Sequence, residues 1–299
     1  MQAGLVKKFS AKKQCGNAMT DFEKVKNYYK HFDEKNRLRN DNSGKLEFLM
    51  TMSILEKNLP TLGDGDATEV SILDLGGGAG AYSFPLAKKG YKITLADLSE
   101  TLLAQAKKQK EENKVQNLIS CDQVNATDLS CYKDNSFDVV LLFGPLYHLT
   151  EKDEREKCVG EIQRVLKTGG KVFASFSPHL SGSIALVQRF CWSPDQVSID
   201  TLEECFDSGK FKNLSSNGFQ EGYYPASEEI ENLFAANGFE KQMLRSIRGF
   251  GYEKEDVIFK FKNKNVFSKI LELIDSTAED KSIIEMCGHA MYIGIKKEA

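Results

Sequence analysis

The sequence lacks the patterns that mark a metal site, a disulfide framework or a membrane span. Its seven cysteines are an odd, scattered set with no C-x-x-C pair and no cluster with histidine at metal-ligand spacing. The longest apolar stretch, Val139 to Leu149, is interrupted by glycine, proline and histidine and is far shorter than a bilayer requires. We therefore expect a cytoplasmic protein with reduced thiols, no metal site and no membrane partner.

The sequence also lacks an excess of positive charge. Forty lysine and arginine residues stand against forty-three acidic residues, which gives a formal net charge of -3. Such a chain has no overall field that would draw it to nucleic acid or anionic lipid. We expect a small-molecule partner, and no feature of the sequence indicates an oligomeric state. The hydrophobic content of 41% is ample for a buried core.

Strands and helices alternate along the chain after a basic N-terminal stretch. Residues 1–20 are predicted to be a disordered tail and residues 21–299 a single domain, which begins with helices at 21–32 and 45–58. Strands are then predicted at 70–75, 92–96, 118–124, 137–143 and 171–176, with helices at 82–89, 100–113 and 150–166, the last capped by Thr150. This alternation predicts a doubly wound α/β domain around a parallel sheet.

The alternation lapses between residues 177 and 224, in a stretch too long for a plain connection. We interpret it as a cap over the substrate. Its aromatic residues either line an acceptor pocket, with Trp192 and Tyr223 as candidate contacts, or form the cap's own small core. A helix at 227–237, a strand at 241–247, a helix at 266–276 and a strand at 290–296 complete the prediction.

A glycine-rich turn follows the first strand, in the run Asp74-Leu75-Gly76-Gly77-Gly78-Ala79-Gly80. Such a turn lets the backbone approach a ligand closely. Because Gly76, Gly78 and Ala81 also satisfy a dinucleotide fingerprint, an NAD(P)-dependent oxidoreductase stays an alternative. Asp97 closes the second strand and suits the ribose of either cofactor. A carboxylate at Asp74 would repel a pyrophosphate but suits an ammonium group, which favours S-adenosylmethionine.

Five segments together resemble the class I S-adenosylmethionine-dependent methyltransferases, in particular a bacterial small-molecule branch. They are Leu73-Asp74-Leu75-Gly76-Gly77-Gly78, Leu95-Ala96-Asp97-Leu98-Ser99, Phe137-Asp138-Val139-Val140, Gly144-Pro145-Leu146-Tyr147-His148-Leu149 and Arg164-Val165-Leu166-Lys167-Thr168-Gly169-Gly170. The resemblance implies a seven-stranded sheet in the order 3-2-1-4-5-7-6 with an antiparallel last strand.

The same resemblance implies a set of cofactor contacts. Asp74, Gly76 and Gly78 would hold the methionine end, Asp97 and Leu98 the ribose, and Asn125 with Ala126 the adenine edge, while Phe143 and Arg37 would complete the set. Asn125 departs from the family, which has aspartate there, and so loses a charge. Arg37 and Tyr29 stand in a helical segment that folds over the cofactor in this family. Tyr29 is a candidate acceptor contact, although its spacing also suits a core position.

The rim after the fourth strand carries the candidate catalytic residues, Tyr147 and His148. His148 either acts as a general base or only orients the helix that follows. The asparagine or aspartate that grips a base amine in nucleic-acid methyltransferases is absent here, so a tRNA or protein acceptor is the runner-up to a small molecule. His289, before the last strand, resembles a family histidine to which the sequence assigns no role.

The leading hypothesis is therefore methyl transfer by direct displacement from S-adenosylmethionine to a small molecule. A non-catalytic regulatory subunit that binds the same cofactor is the second alternative, beside the oxidoreductase.

Overall fold

A seven-stranded sheet forms the centre of the molecule. The computed structural model describes residues 34–63, 69–192, 198–212 and 221–298. The strands of the sheet are β1 (Ser71–Leu75), β2 (Lys92–Asp97), β3 (Leu118–Gln123), β4 (Phe137–Leu142), β5 (Leu166–Phe176), β8 (Phe239–Ser246) and β9 (Ala290–Lys296). A separate two-stranded ribbon consists of β6 (Lys210–Lys212) and β7 (Glu221–Tyr223).

The strand order in the sheet is β3-β2-β1-β4-β5-β9-β8. The first five strands run parallel, whereas β9 is antiparallel to both β5 and β8. The fold class and the order that the resemblance implied are both confirmed. Because parallel strands end at the same edge of a sheet, the turns that follow β1, β2 and β4 meet there.

Helices cover both faces of the sheet. They are α1 (Glu34–Asn40), α2 (Asn42–Asn58), α3 (Ser83–Lys88), α4 (Glu100–Asn113), α5 (Pro145–His148), α6 (Lys152–Val165), α7 (His179–Trp192), α8 (Ile199–Ser208), α9 (Ser227–Ala236), α10 (Glu255–Ile258), α11 (Lys264–Ser276) and α12 (Lys281–Ile284). None of the helices in the described ranges is long and apolar enough to cross a bilayer. The predicted helix at 21–32 lies outside the described residues.

One predicted helix cap is wrong. The helix expected from Thr150 begins at Lys152, so that Glu151 occupies the N-cap position and no side chain caps the helix. Asp153 and Glu154 in its first turn instead provide negative charge beside the unpaired backbone N–H groups.

Two apolar layers hold the helices against the sheet. On one face α2 packs its buried residues, such as Leu46 and Ile54, against a layer that includes Ile72 of β1 and Phe173 of β5. On the other face the layer joins α6 and α9 to the strands, with Ile162 among its fully buried side chains. Burial on both faces explains why β1, β4 and the second half of β5, from Val172 to Phe176, are mainly apolar.

The segment 177–224, which we call the cap, contains α7, α8 and the β6-β7 ribbon. Its described apolar residues form a third cluster, in which Leu186, Cys205 and Phe211 are buried. The ring of Tyr224 stacks on Phe211 at 6.1 Å between centroids. Of the two uses foreseen for the cap's aromatic residues, Phe211 and Tyr224 therefore serve as the cap's own core.

Candidate active site

The glycine turn is folded back onto β2. The backbone N–H groups of Gly76 and Gly77 both donate to the carbonyl oxygen of Ala96, at 2.8 and 3.2 Å. Gly76 and Gly78 adopt φ angles of +78° and +57°, which strain any residue with a side chain. A Cβ atom on Gly76 would also lie 2.6 Å from Cδ of Pro145 in α5. The turn therefore requires glycine for its conformation and for its contact with α5.

Asp97, at the end of β2, is fixed by backbone donors on both carboxylate oxygens. Its Oδ2 accepts a hydrogen bond from Gly78 N at 2.8 Å, and its Oδ1 accepts one from Ser99 N at 2.7 Å. These two backbone N–H groups hold the Asp97 carboxylate in one orientation at the edge of the cleft.

Asp74, in β1, is fully buried beneath the turn. Its Oδ2 accepts a hydrogen bond from the Ser83 hydroxyl at 2.6 Å. Among the described residues nothing hydrogen-bonds to its buried Oδ1. Burial raises the pKa of Asp74 to about 6, the negative charge of Asp97 adds to the rise, and the Ser83 hydrogen bond opposes it.

A buried acceptor without a donor costs free energy, so Asp74 Oδ1 requires a partner that the described residues do not supply. An ammonium group would supply both the donor and the opposite charge. The residues therefore fit the methionine end of S-adenosylmethionine, on the evidence of this oxygen and of the glycine turn that leaves space above it.

One open cleft collects every predicted cofactor and catalytic residue. Its walls include Arg37, Asp74, Gly76, Gly78, Asp97, Leu98, Asn125, Ala126, Phe143, Tyr147 and His148. The cleft runs along the edge of the sheet where β1, β2 and β4 end, and α1 closes one side. The sequence therefore identified residues from six separate elements that the fold brings together.

Asn125 lies near the end of the cleft that Ala126 lines. Its Oδ1 accepts a hydrogen bond from Thr127 N at 3.0 Å. The same oxygen was expected to serve as an acceptor for the adenine edge. Because Thr127 uses only one lone pair, one acceptor site remains on this oxygen.

Aromatic rings line the part of the cleft between the glycine turn and α2. Tyr82 stacks on Phe48 at 5.7 Å and meets Phe143 edge-on at 5.3 Å between centroids. Phe48 was not singled out by the sequence analysis, because its helical spacing is that of an ordinary core residue. Faces of aromatic rings attract cations, so this part of the cleft suits a sulfonium group.

Tyr147 and His148 form the last turn of α5, at the rim of the same cleft. Their rings lie 4.9 Å apart between centroids. Burial lowers the pKa of His148 to about 3, so its imidazole is neutral at pH 7. A base of such low pKa holds a proton poorly at neutral pH, which favours the orienting role that the sequence analysis left open.

The structure does not bring Tyr223 into this cleft. Its ring lies beneath the Arg155 guanidinium, 3.6 Å from the ring centroid, and its hydroxyl donates to the Glu229 carboxylate. Tyr223 therefore joins the cap to α6 and α9 and is not a cleft residue. Tyr29 and the side chain of Trp192 lie outside the described residues.

A small polar pocket adjoins the cleft, and sequence analysis missed it. It is lined by Arg37, Glu47, Thr51, Tyr82, Phe143, Tyr147, Ser175, Ile247, His289 and Met291. Glu47 accepts from Arg37 at 3.0 Å and its Oε2 lies 3.0 Å from His289 Nδ1. Glu47 looked like one of several solvent-facing acids in a Lys- and Glu-rich helix, and only its burial on the folded chain reveals the contact.

Comparison with known families identifies the part of the chain from β1 to β5. Residues 73–174 match the model of a methyltransferase domain. A ubiquinone/menaquinone biosynthesis C-methyltransferase from Zymomonas mobilis is 36% identical over 102 residues, which are 34% of this chain and 40% of that protein. A demethylmenaquinone methyltransferase from Clavibacter sepedonicus is 30% identical over 176 residues, 56% of this chain and 64% of that protein. The chain thus spans less than two thirds of these relatives.

Solved structures share the fold over nearly their whole length. A SAM-dependent methyltransferase from Methanosarcina mazei superposes with a TM-score of 0.57 at 18% identity, covering 82% of this chain and 98% of the other. The magnesium protoporphyrin IX methyltransferase from Synechocystis PCC 6803, with bound SAM, superposes with a TM-score of 0.54 at 14% identity, covering 94% and 99%. The prediction of a methyltransferase domain is confirmed over residues 73–174, and the solved structures confirm the fold.

Proposed function

We propose that this chain transfers a methyl group from S-adenosylmethionine to a small-molecule acceptor. The observation that carries the proposal is the single cleft that runs from Asp97 and Asn125, past the buried Asp74, to Tyr147. When bound, S-adenosylmethionine supplies an electrophilic methyl group on a sulfonium. The chain's task is then to position the acceptor in line with that group, which by itself contributes on the order of 7 kcal/mol or more.

The nucleoside end of the cleft holds the cofactor through three contacts. Asp97 accepts from the ribose hydroxyls with a carboxylate that the backbone N–H groups of Gly78 and Ser99 hold in place. Leu98 packs beside the ribose, and Asn125 with Ala126 borders the adenine. These roles rest on the resemblance and on the shared cleft.

Charged side chains hold the methionine end of the cofactor. Asp74 receives the ammonium group, which gives its buried Oδ1 a donor and favours the ionised carboxylate. Arg37 lies on the same side of the cleft, where its guanidinium faces the carboxylate of the cofactor while it keeps its bond to Glu47. The rings of Tyr82 and Phe143 exclude water from the sulfonium.

The acceptor we propose is a flat ring that carries an ionisable hydroxyl. Aromatic side chains border the space beyond the methionine end, and Tyr147 is the proposed contact with the acceptor. The curated relatives are named for the methylation of demethylmenaquinone and of ubiquinone precursors. A reduced naphthoquinone ring is therefore the first acceptor to test. Tyr29, Trp192 and the cap are proposed to cover it, and a cytoplasmic location remains part of the proposal.

Cofactor binding is tested by calorimetry with S-adenosylhomocysteine. Asp97→Asn removes the charge and one acceptor, so we expect its Kd to rise about tenfold to a hundredfold. The matched control is Asp138→Asn, because Asp138 also accepts from a backbone N–H and a side chain but at the opposite end of β1. We expect the control to bind as the wild type does. Equal affinity in Asp97→Asn, or binding of NAD in place of the nucleoside, would refute the proposal.

Acceptor class is tested with a tritiated methyl donor. The panel contains 1,4-dihydroxynaphthalene, simple phenols, aliphatic amines, thiols, bulk tRNA and a protein lysate. We expect label in the dihydroxynaphthalene or phenol fraction. Label only in the tRNA or lysate fraction would contradict a small-molecule acceptor, and cofactor binding without label anywhere would favour the regulatory subunit.

A further inference from the structure

We propose that Nε2 of His289 is the general base that removes the hydroxyl proton of the acceptor, and that Glu47 positions it. The inference rests on the proposed function and deepens it. His289 directly precedes β9, and its Nδ1 lies 3.0 Å from Glu47 Oε2 in α2. The side chain of Glu47 is 8% exposed and that of His289 is 24% exposed, so the pair is sheltered while the histidine still reaches open space.

The Glu47 contact decides which nitrogen of His289 is available. Although burial raises the pKa of Glu47, the positive charge of Arg37, the hydrogen bond from His289 and the positive charge of Arg248 hold that pKa well below its usual range. An ionised carboxylate can only accept hydrogen bonds, so Nδ1 must carry the proton. The lone pair of the neutral ring is then on Nε2, to which none of the described residues hydrogen-bonds.

The charges around the pair are balanced. Arg37 from α1 and Arg248 from the segment after β8 both approach Glu47, at 3.0 and 4.0 Å. Arg248 is in turn paired with Glu255 of α10 at 2.8 Å. Two guanidinium groups therefore face two carboxylates. A neutral His289 leaves this cluster without net charge.

The position of His289 places it beside the proposed acceptor. Its ring stacks on that of Tyr147 with centroids 6.0 Å apart and planes inclined by 27°. Tyr82, Phe143 and Tyr147 line both the cofactor cleft and the pocket that contains His289. The pocket and the cleft are therefore neighbours that share these three aromatic side chains as lining.

The proton step is simple to balance. The O–H bond of the acceptor breaks, its proton forms a bond with Nε2, and its electron pair stays on the acceptor as an oxyanion. That pair makes the oxygen, or the ring carbon beside it, the nucleophile. The acceptor exchanges one proton for one methyl cation over the whole reaction. If the oxygen is methylated, His289 passes the proton to water. If the ring carbon is methylated, the proton on Nε2 returns to the oxygen while the C–H proton of that carbon leaves to water.

The first test reads the histidine itself and does not depend on activity. The chain has four histidines, so ¹⁵N-labelled protein gives few ring signals, and His289→Gln assigns the one of interest. We expect the neutral ring of His289 to carry its proton on Nδ1, and Glu47→Gln to shift the ring toward a mixture of tautomers. A ring that carries its proton on Nε2 in the wild type would overturn the proposal.

The second test is kinetic, with 1,4-dihydroxynaphthalene as the probe. We expect His289→Gln to lower kcat about a hundredfold or more with a smaller change in KM, because general-base catalysis contributes on that scale. The ascending limb of the rate between pH 5 and 8, which is typical of an imidazole base, should be lost. Added imidazole should restore part of the rate.

Glu47→Gln should lower kcat less than His289→Gln, because the base remains but is poorly oriented. The matched control for Glu47→Gln is Asp275→Asn. Asp275 also forms an ion pair with α2, through Lys57, and a second one with Arg245 of β8. The control should lose stability and keep kcat. Wild-type kcat and pH dependence in His289→Gln would overturn the inference, whereas failure of the wild type to bind S-adenosylhomocysteine would overturn the proposed function instead.

Discussion

Asp74 lowers the stability of the folded chain, and we propose that it binds the ammonium group of the cofactor. A carboxylate that is fully buried and has one oxygen without a described donor prefers to be protonated, and its pKa rises to about 6 accordingly. The pKa in the unfolded chain is the ordinary value of 3.8. The folded state therefore loses stability as the pH rises from about 4 to about 6, and the loss persists above that range.

Asp74→Asn removes this cost. We expect the free energy of unfolding at pH 8 to increase by up to about 3 kcal/mol, which is the shift of roughly two pKa units converted to free energy. At pH 4 the variant and the wild type should differ little. Urea unfolding at both pH values measures the difference, and calorimetry should show weaker binding of S-adenosylhomocysteine because the charge opposite the ammonium is lost.

Asp138→Asn is a control for which we expect the opposite dependence of stability on pH. Burial raises the pKa of Asp138, but hydrogen bonds from Lys167 and Ser71 outweigh burial and lower it overall. Its loss should therefore destabilise the chain more at pH 8 than at pH 4, without affecting the ligand. If Asp74→Asn behaved like Asp138→Asn, the description of Asp74 as a strained ligand contact would be wrong.

At this residue scale, the cofactor half of the site was predictable and the pocket beside it was not. Gly76, Gly78 and Asp97 lie within one strand-turn-helix unit and its neighbour, so their spacing alone carries the signal. Glu47 and His289 are 242 residues apart, and their contact exists only because α2 packs near the start of β9. The spacing of residues along the chain therefore gives no indication that Glu47 and His289 are in contact.

Among the secondary-structure elements, most of the long ones outside the cap were predictable, whereas helices α7 and α8 of the cap and the shortest helices were not. Helix α4 and strand β9 have the bounds that the sequence predicted, since Ser99 and the αL residue Lys114 end the helix sharply. The four-residue helices α5, α10 and α12 are too short to show a helical period, and their presence depends on tertiary packing.

The cap is an element with a core of its own. Phe211 is buried among Leu186 and Cys205, apart from the two layers that hold the sheet. We expect Phe211→Ala to unfold the cap locally, with faster hydrogen exchange in α8 and β6, because removal of a buried phenylalanine costs about 3–5 kcal/mol. Binding of S-adenosylhomocysteine should persist, whereas methyl transfer to the acceptor should fall.

The comparison variant is Phe173→Ala, which removes a ring of the same size from the centre of the sheet. This variant should lower the free energy of unfolding of the whole domain by about 3–5 kcal/mol. Equal global destabilisation by both variants would show that the cap unfolds only together with the sheet.

At the scale of the whole molecule, the ligand joins elements from distant parts of the chain. Residues of α1, β1, β2 and α5 and the residue that follows β4 all border the cleft. We expect S-adenosylhomocysteine at a hundred times its Kd to stabilise the folded protein by about 2.7 kcal/mol. This gain should raise Tm by roughly 4 °C for a chain of this size. Thermal unfolding followed by circular dichroism measures the shift.

In Asp97→Asn the Tm shift at the same ligand concentration should fall to about half or less, because a Kd raised tenfold to a hundredfold leaves a stabilisation of only about 0.4–1.4 kcal/mol. With NAD in the wild type the shift should be absent. A shift of equal size in Asp97→Asn would mean that the ligand stabilises the chain from some other surface.

The class of fold could be predicted from the pattern of apolar residues in the sequence, whereas the order of the strands in the sheet could not. Alternation of apolar strands with helices predicts a parallel sheet covered on both faces, and α2 and α6 do cover it. The order of the strands, with β9 inserted between β5 and β8, was implied only by the resemblance. No local property of Ala290–Lys296 indicates that this strand runs against its neighbours.

The reversed direction of β9 also decides which of its ends lies at the edge of the sheet that carries the cleft. Because the strand is antiparallel to β5, its first residue, Ala290, pairs with Phe176 at the end of β5. His289 is therefore placed at the edge where the parallel strands end, beside Tyr147 of the cleft. Every described residue that lines the cleft precedes residue 155, so cofactor binding and the proposed removal of the proton depend on separate parts of the sequence, and a substitution at His289 can affect the second without the first.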